Sequence, residues 1–215
     1  MRQFFSMDSP IICFLSRLCD LMILNFLFIV CCIPIFTIGD ALTALYYVNI
    51  KIATGEEGYV VKGFFRSFKL NFRQATIIWL IVLLVGVIFA VDFMFLRGIQ
   101  MGGIGYKIFG VIITILAVMY LLTITIIFPL LARFDNTIGN VLKNSVIMSI
   151  LYLPRTLAMI AVEAIPFVLV YFYSSLIPLL FLFGVSVPAF INAKILAGAF
   201  KKLEDKNTSL ESDGQ

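Results

Sequence analysis

The sequence has 215 residues, of which 62% are hydrophobic and only 13% are charged. Soluble globular domains contain about 25% charged residues, so this composition excludes an ordinary water-soluble fold. The net charge is +4, and the basic residues collect in particular loops, so nucleic acid is not an expected partner. We therefore predict an all-α, polytopic bundle of membrane helices, long enough for five or six crossings joined by short loops.

The first apolar stretch begins after Pro10 and reaches Ile38, with a kink predicted at Pro34. The next stretch, Pro34–Ile50, is short and contains Asp40 beside a glycine. It is either a second crossing or a re-entrant half-helix that follows a break in the chain. The first alternative gives six crossings with an N-terminus inside the cell, and the second gives five with an N-terminus outside. We favour six.

A basic amphipathic segment, Val60–Arg73, leads into a long apolar segment, Ala75–Leu96. If Val60–Arg73 winds as an α-helix, phenylalanines and valines occupy one side and four cations the other, Lys62, Arg66, Lys69 and Arg73. This pattern is typical of a helix that lies flat on a membrane, with its cations on anionic lipid headgroups. We predict an elbow here, made of a surface helix, a turn and a crossing.

The second half of the chain repeats this order in a weaker form. Ile108–Ala132 is predicted to cross back, Asp135–Leu153 to form a second elbow, and two further crossings to follow, Leu157–Tyr173 and Leu176–Ala197. Segments 60–133 and 135–202 would then be a weak parallel repeat inside a single membrane domain, residues 1–202. Residues 203–215 are polar and are predicted to be a disordered tail. The basic loops place the C-terminus in the cytoplasm, with the plasma membrane as the location.

Glu163 is the most conspicuous candidate for a functional residue, because it lies about eight residues into an apolar span. An ionised carboxylate there costs at least ~2.5–3.5 kcal/mol, so Glu163 is either a proton or solute site or a protonated partner of a neighbouring helix. Asp40 would face the bundle interior if the helix breaks there, or would cap the next helix. Asn25 and Asn192 are further polar candidates, and cross-helix hydrogen bonds are the simpler explanation for both.

The sequence offers no enzyme signature. Histidine is absent, and no metal-binding cluster, nucleophile motif or glycine-rich phosphate loop is present. We therefore predict no catalytic residue, no metal and no cofactor.

Several short motifs resemble the YesL-like family of bacterial integral membrane proteins, whose function is unknown. They are Asp20-Leu-Met-Ile-Leu-Asn25, Thr37-Ile-Gly39, Thr43-Ala-Leu-Tyr-Tyr47, Glu57-Gly-Tyr59, Phe64-Phe-Arg-Ser-Phe-Lys69, Asn71-Phe-Arg-Gln-Ala75 and Phe128-Pro-Leu-Leu-Ala-Arg-Phe134. Members of that family often accompany carbohydrate-uptake and polysaccharide-degradation genes in Gram-positive bacteria. The resemblance therefore implies an accessory role in sugar transport and supplies no catalytic residues.

Two hypotheses follow. In the first, the protein is a non-enzymatic accessory or assembly factor that binds another membrane complex, such as a carbohydrate importer permease, or a second copy of itself. In the second, it is a small transporter or channel that uses Glu163 and Asp40. Replacing Glu163 by Gln should spare function under the first hypothesis and abolish flux under the second.

Overall fold

A computed structural model describes residues 10–56, 58–98, 104–134 and 136–212, and these residues form eight α-helices and no strands. The all-α prediction is confirmed. Single 3₁₀ turns, Ile35–Thr37 and Ser174–Leu176, precede the second and seventh helices. The helices are α1 (Pro10–Cys31), α2 (Ile38–Thr54), α3 (Val60–Gly98), α4 (Ile104–Arg133), α5 (Ile138–Leu151), α6 (Leu153–Phe172), α7 (Ile177–Phe183) and α8 (Ser186–Ser212).

Four of these helices, α1, α3, α4 and α6, are long and apolar enough to span a membrane. Helices α7 and α8 are bent by 48° at a short break and make a fifth span if they form one broken crossing. These are the features of a multi-pass membrane protein. Because α2 has only 17 residues and is not among the candidate spans, this count agrees with the alternative of five crossings rather than six.

Helix α2 lies at the centre of the bundle, where ten of its 17 residues are buried. Helices α3, α4 and α8 pack directly against it. Gly39 permits the closest contact with α3, because a Cβ atom at Gly39 would lie 2.5 Å from Trp79 Cβ and 2.9 Å from the Ala75 carbonyl oxygen. The Trp79 indole Nε1 also donates a hydrogen bond to the Ile35 carbonyl oxygen at 2.8 Å. The turn before α2 is therefore fixed to the middle of α3.

The turn predicted between Arg73 and Ala75 is wrong, because α3 continues without interruption for 39 residues, about 58 Å. No glycine or proline interrupts residues 64–85, so only the composition of the helix changes there. The aromatic side of Val60–Arg73 is also not left to acyl chains alone, since Phe64 is fully buried in the core that includes α2. The four cations of the basic face are exposed, and their contact with lipid headgroups stays a prediction.

Helices α3 and α4 continue together as an antiparallel hairpin. The Tyr120 hydroxyl donates to the Val82 carbonyl oxygen at 2.7 Å, and the same hydroxyl covers Gly86. Beyond this contact the hairpin has little cover, since Ile113 is the one buried hydrophobic side chain that the structure describes between residues 83 and 121. The hairpin therefore presents apolar side chains on almost every side.

The second predicted elbow corresponds to a separate short helix, α5, which ends at Leu151, and Tyr152 alone separates it from α6. Val141, Ser145 and Met148 form its buried side, and α4 is its main neighbour. Helix α8 extends to Ser212, into the segment that the sequence predicts to be a disordered tail, and residues 213–215 lie outside the described residues. The proposed repeat of segments 60–133 and 135–202 stays a prediction.

Candidate functional site

Glu163 belongs to a polar cluster that joins three helices. Its Oε1 atom accepts a hydrogen bond from the Tyr46 hydroxyl of α2 at 3.2 Å and another from Asn192 Nδ2 of α8 at 3.0 Å. Asn192 Nδ2 also lies 3.5 Å from the Tyr46 hydroxyl. Asn192 is fully buried and Tyr46 is almost so, whereas Glu163 is half-buried. The cluster therefore ties α2, α6 and α8 together at one carboxylate oxygen.

A crevice of about 510 Å³ opens beside this cluster. Its walls are mainly apolar side chains of α2, α4, α6, α7 and α8, and its polar side chains are Tyr46, Glu163 and Thr125. The Thr125 hydroxyl already donates to the Leu121 carbonyl oxygen at 3.1 Å. No residue that the structure describes forms a bond with Glu163 Oε2, which leaves one acceptor of this carboxyl group for a ligand. Such a crevice suits a molecule with an apolar body and one hydrogen-bond donor.

Two prolines shape the wall of the crevice near Glu163. Pro166, three residues further along α6, has no backbone N–H, so the Val162 carbonyl oxygen lacks its usual helical partner. Pro166 and Pro188 both line the crevice, one from α6 and one from α8. The prolines therefore add backbone irregularity to a wall that is otherwise apolar.

Asp40 is not part of this site. It is the third residue of α2 and is fully buried, but it does not line the crevice. It lies six residues before Tyr46, so the two side chains leave α2 in directions about 120° apart. Neither carboxyl oxygen of Asp40 has a hydrogen-bond partner among the described residues, and α2 has no side-chain cap. The structure thus separates the two acids that the sequence grouped together.

Asn25 holds the break between α7 and α8. Its Nδ2 donates to the Phe181 carbonyl oxygen at 2.7 Å, and its Oδ1 accepts from the backbone N–H groups of Val185 and Ser186, both at 3.0 Å. The side chain therefore satisfies the last turn of α7 and the first N–H groups of α8 at once. This is cross-helix bonding of the kind expected for Asn25, and its effect is to stabilise a bend that the sequence did not predict.

At the far end of α2, Glu56 connects two cations. It lies 3.7 Å from Lys51 Nζ and 3.4 Å from Arg133 Nη1. Burial alone would raise the pKa of Glu56, but hydrogen bonds from Thr54 and Arg133 and the charges of Lys51 and Arg133 hold this pKa below its ordinary value. This network links the end of α2 to the end of α4.

Tyr46 is the residue of the cluster that the sequence did not reveal as a site residue. Its signal was present, because it belongs to a short motif on a stretch that also carries Asp40, but nothing in the spacing connects it with α6 or α8.

The basic face gains one feature from the structure, since Lys62 and Arg66 line a surface pocket while Lys69 and Arg73 do not. Among the described residues, no three potential metal-binding side chains lie together.

Comparison with known proteins gives a limited result. Residues 21–93 match a family model described as "Protein of unknown function, DUF624". The chain is similar to the "Uncharacterized protein YteU" of Bacillus subtilis (strain 168), with 28% identity over 171 residues, which are 79% of this chain and 74% of that protein. No solved structure matches the chain. The family match includes Asn25, Asp40, Tyr46 and the basic face, and it ends before α4.

Proposed function

We propose that this protein is a non-enzymatic accessory or assembly factor of a bacterial plasma membrane, and that it acts by binding another membrane protein complex. The observation that carries the proposal is the α3–α4 hairpin with its exposed apolar side chains. A hairpin of two helices offers faces that other membrane helices can cover, and packing between such helices depends on shape rather than on polar chemistry.

The length of α3 supports the same conclusion. Membrane helices tilt by up to about 40° from the bilayer normal, so a helix of about 58 Å still extends about 44 Å across a hydrocarbon layer of about 30 Å. About three turns of α3 must therefore lie outside the hydrocarbon, even at this tilt. The basic end, Val60–Arg73, is the part suited to the aqueous side, which leaves Ala75–Leu96 and its partner α4 for contacts inside the membrane.

Self-association through small residues receives less support. The sequence offers Gly86 with Ala90 and Ala193 with Ala197 as close-packing faces. Tyr120 of the same chain covers Gly86, and Ala193 is fully buried within the bundle. One residue of each pair, Gly86 or Ala193, is therefore occupied by contacts within one copy, and a different membrane protein is the partner that we propose.

The class of partner rests on resemblance alone. We propose a carbohydrate importer permease, because the motifs described above resemble a YesL-like family that accompanies sugar-uptake genes. The match to the DUF624 family and the similarity to the YteU protein are compatible with this assignment, and neither description mentions an activity.

Site-specific photocrosslinking tests the proposal. A photoreactive amino acid is placed at Leu84 on the hairpin and, as a control of equal exposure, at Phe14 on α1; these side chains are 63% and 65% exposed. After illumination of native membranes, we expect the Leu84 variant, and not the Phe14 variant, to be joined to importer permease subunits. Crosslinks to lipid only, or equal products from both positions, would contradict the proposal. Crosslinks between two copies of the chain would replace it by self-association.

Transport is a second candidate, favoured by the crevice in front of Glu163. The variant Glu163→Gln keeps an oxygen that can accept from Tyr46 and Asn192 and removes the ionisable group. In liposomes containing the protein, a transporter that depends on this acid should lose proton flux, measured with an enclosed pH dye under an imposed membrane potential. Glu56→Gln, which removes an acid outside the crevice, is the control and should retain the flux. An accessory protein should show no flux in any variant.

A further inference from the structure

A second cavity, of about 240 Å³, lies where α2 ends and α3 begins. We call it the α2–α3 pocket. Tyr47, Lys51 and Glu56 line it from the α2 side, and the first two turns of α3 complete it. Lys62 and Arg66 are among the α3 residues that line it.

Among the residues that the structure describes, three cations and one acid line this pocket, but they are not equivalent. Glu56 is engaged by Lys51 and by Arg133, and Lys51 also lies over the Tyr47 ring, 5.0 Å from its centre. Lys62 and Arg66 form no ion pair or hydrogen bond with any residue that the structure describes. They are four residues apart on α3, so both side chains reach the same side of the helix. Within the described part of the chain, the pocket therefore offers two cations without a partner, which can bind an anion.

The backbone adds to this positive charge. The first N–H groups of a helix have no acceptor within the helix. In α3 the N–H group of Gly63, the fourth residue, bonds to the Tyr59 carbonyl oxygen at 2.8 Å, so the N–H groups without a helical acceptor are those of the three residues before it. The first turn of α3 thus brings the positive end of its helix dipole to the pocket. There is open space beside Gly58, since a Cβ atom there would meet nothing within 4 Å, and a Cβ atom at Gly63 would only touch Val48.

We propose that the α2–α3 pocket binds a phosphate or phosphate-ester group. An arginine and a lysine beside a helix N-terminus match the charge and the acceptor oxygens of such a group. The group could belong to a lipid headgroup or to a small water-soluble molecule. Because α3 is uninterrupted, the distance of the pocket from the membrane along this helix distinguishes the two sources. This proposal is independent of the accessory function proposed above.

If Ala75–Leu96 occupies the hydrocarbon, Arg73 and Lys69 lie about 3 and 9 Å from its edge along α3, whereas Arg66 and Lys62 lie about 14 and 20 Å away. The headgroup layer is only about 5–8 Å thick. A tilt of 40° would shorten these distances by about a quarter. In the tilted helix the basic face therefore divides in two. Arg73 and Lys69 lie at headgroup depth, about 2 and 7 Å from the hydrocarbon, and Arg66 and Lys62 lie beyond it, about 10 and 15 Å away, where a water-soluble phosphate ester is the expected ligand.

This division provides a matched pair of double variants, K62Q/R66Q and K69Q/R73Q. Each removes one lysine and one arginine from the same face of α3, but only the first pair lines the pocket. The full-length protein, purified in a neutral detergent, is titrated with inorganic phosphate and with glycerol 3-phosphate. We expect K62Q/R66Q to weaken binding at least about tenfold, from two cations each contributing about a fivefold change, and K69Q/R73Q to leave it nearly unchanged.

A short-chain phosphatidic acid, added to the same detergent solution, tests the lipid source. If this lipid binds with the same dependence on K62Q/R66Q while inorganic phosphate and glycerol 3-phosphate do not, the pocket is a phosphate site for a headgroup. Equal weakening by both double variants would show unspecific attraction to a basic helix and would overturn the proposal. Absence of binding by all three probes would overturn it as well.

Discussion

The variant Asn25→Ala tests whether one side chain holds α7 and α8 in their bent arrangement. Asn25 is fully buried and forms three hydrogen bonds, with Phe181, Val185 and Ser186. Alanine would leave all three backbone groups without this partner. Hydrogen bonds inside membrane proteins and soluble proteins contribute about 0.6–1.5 kcal/mol each, so the three together should contribute about 2–4 kcal/mol.

Asn49→Ala is the matched control, because Asn49 is equally buried and neither atom of its amide has a hydrogen-bond partner among the described residues. Both variants remove the same atoms and leave a cavity of the same size. The difference between them therefore isolates the three hydrogen bonds of Asn25.

The assay is thermal unfolding of the purified protein in detergent, followed by size-exclusion chromatography after heating. For a chain of this length, 1 kcal/mol corresponds to about 2–4 °C, so Asn25→Ala should unfold about 5–15 °C below Asn49→Ala. Equal unfolding temperatures for the two variants would refute the idea that Asn25 fixes the break. A lower unfolding temperature for Asn49→Ala would show that its amide has a role that the geometry does not reveal.

Two further predictions concern the contacts of α2. Gly39→Ala should destabilise the protein strongly, because its Cβ atom would meet Trp79 and the backbone of α3, while Gly63→Ala should be neutral or stabilising by up to ~1 kcal/mol; thermal unfolding of both variants compares them. Glu56 has a pKa below its ordinary value of 4.5, so its ionised form stabilises the fold above that pH and loses this effect as the pH falls through its lowered pKa. The unfolding temperature of Glu56→Gln should thus lie below that of the natural protein at pH 7, and the difference should disappear under strongly acidic conditions.

Composition and periodicity were sufficient to predict helices in a membrane, but not where one helix ends. Val60–Arg73 and Ala75–Leu96 differ in charge and hydropathy, and this change suggested a turn. Both segments favour the same backbone conformation, and no glycine or proline lies between them, so the helix continues. A change of environment along a helix is therefore not a signal for its end.

The opposite error occurred at α7 and α8, where the sequence predicted one continuous crossing, Leu176–Ala197. Gly184 and Pro188 were weak local signals for a break. The residue that stabilises the break, Asn25, is 160 positions from Val185 along the chain. Periodicity within one segment could not have connected them, because the bond exists only after α1 has packed against α7.

The candidate site also contains contacts that exist only after the helices have packed. Glu163 could be found from the sequence because an acid in an apolar span is expensive wherever the helix packs. The sequence also named Asn192, but it could not connect Tyr46 and Asn192 with Glu163, since hydrogen bonding between them depends on how α2, α6 and α8 are rotated about their axes. The free-energy cost of placing an acid in an apolar stretch applies to Asp40 as well, and only the rotation of α2 shows that its side chain points away from the crevice.

These contacts also restrict how the chain can be divided. The hydrogen bonds of Asn25 and Tyr46 each join the region that matches the DUF624 model with helices outside it. Helix α2 precedes both segments of the predicted repeat, yet α3 and α4 from the first and α8 from the second pack on it. Each repeat unit alone would therefore expose the surface that α2 now covers. If segments 60–133 and 135–202 do share an ancestor, the present chain has joined them around a helix that belongs to neither.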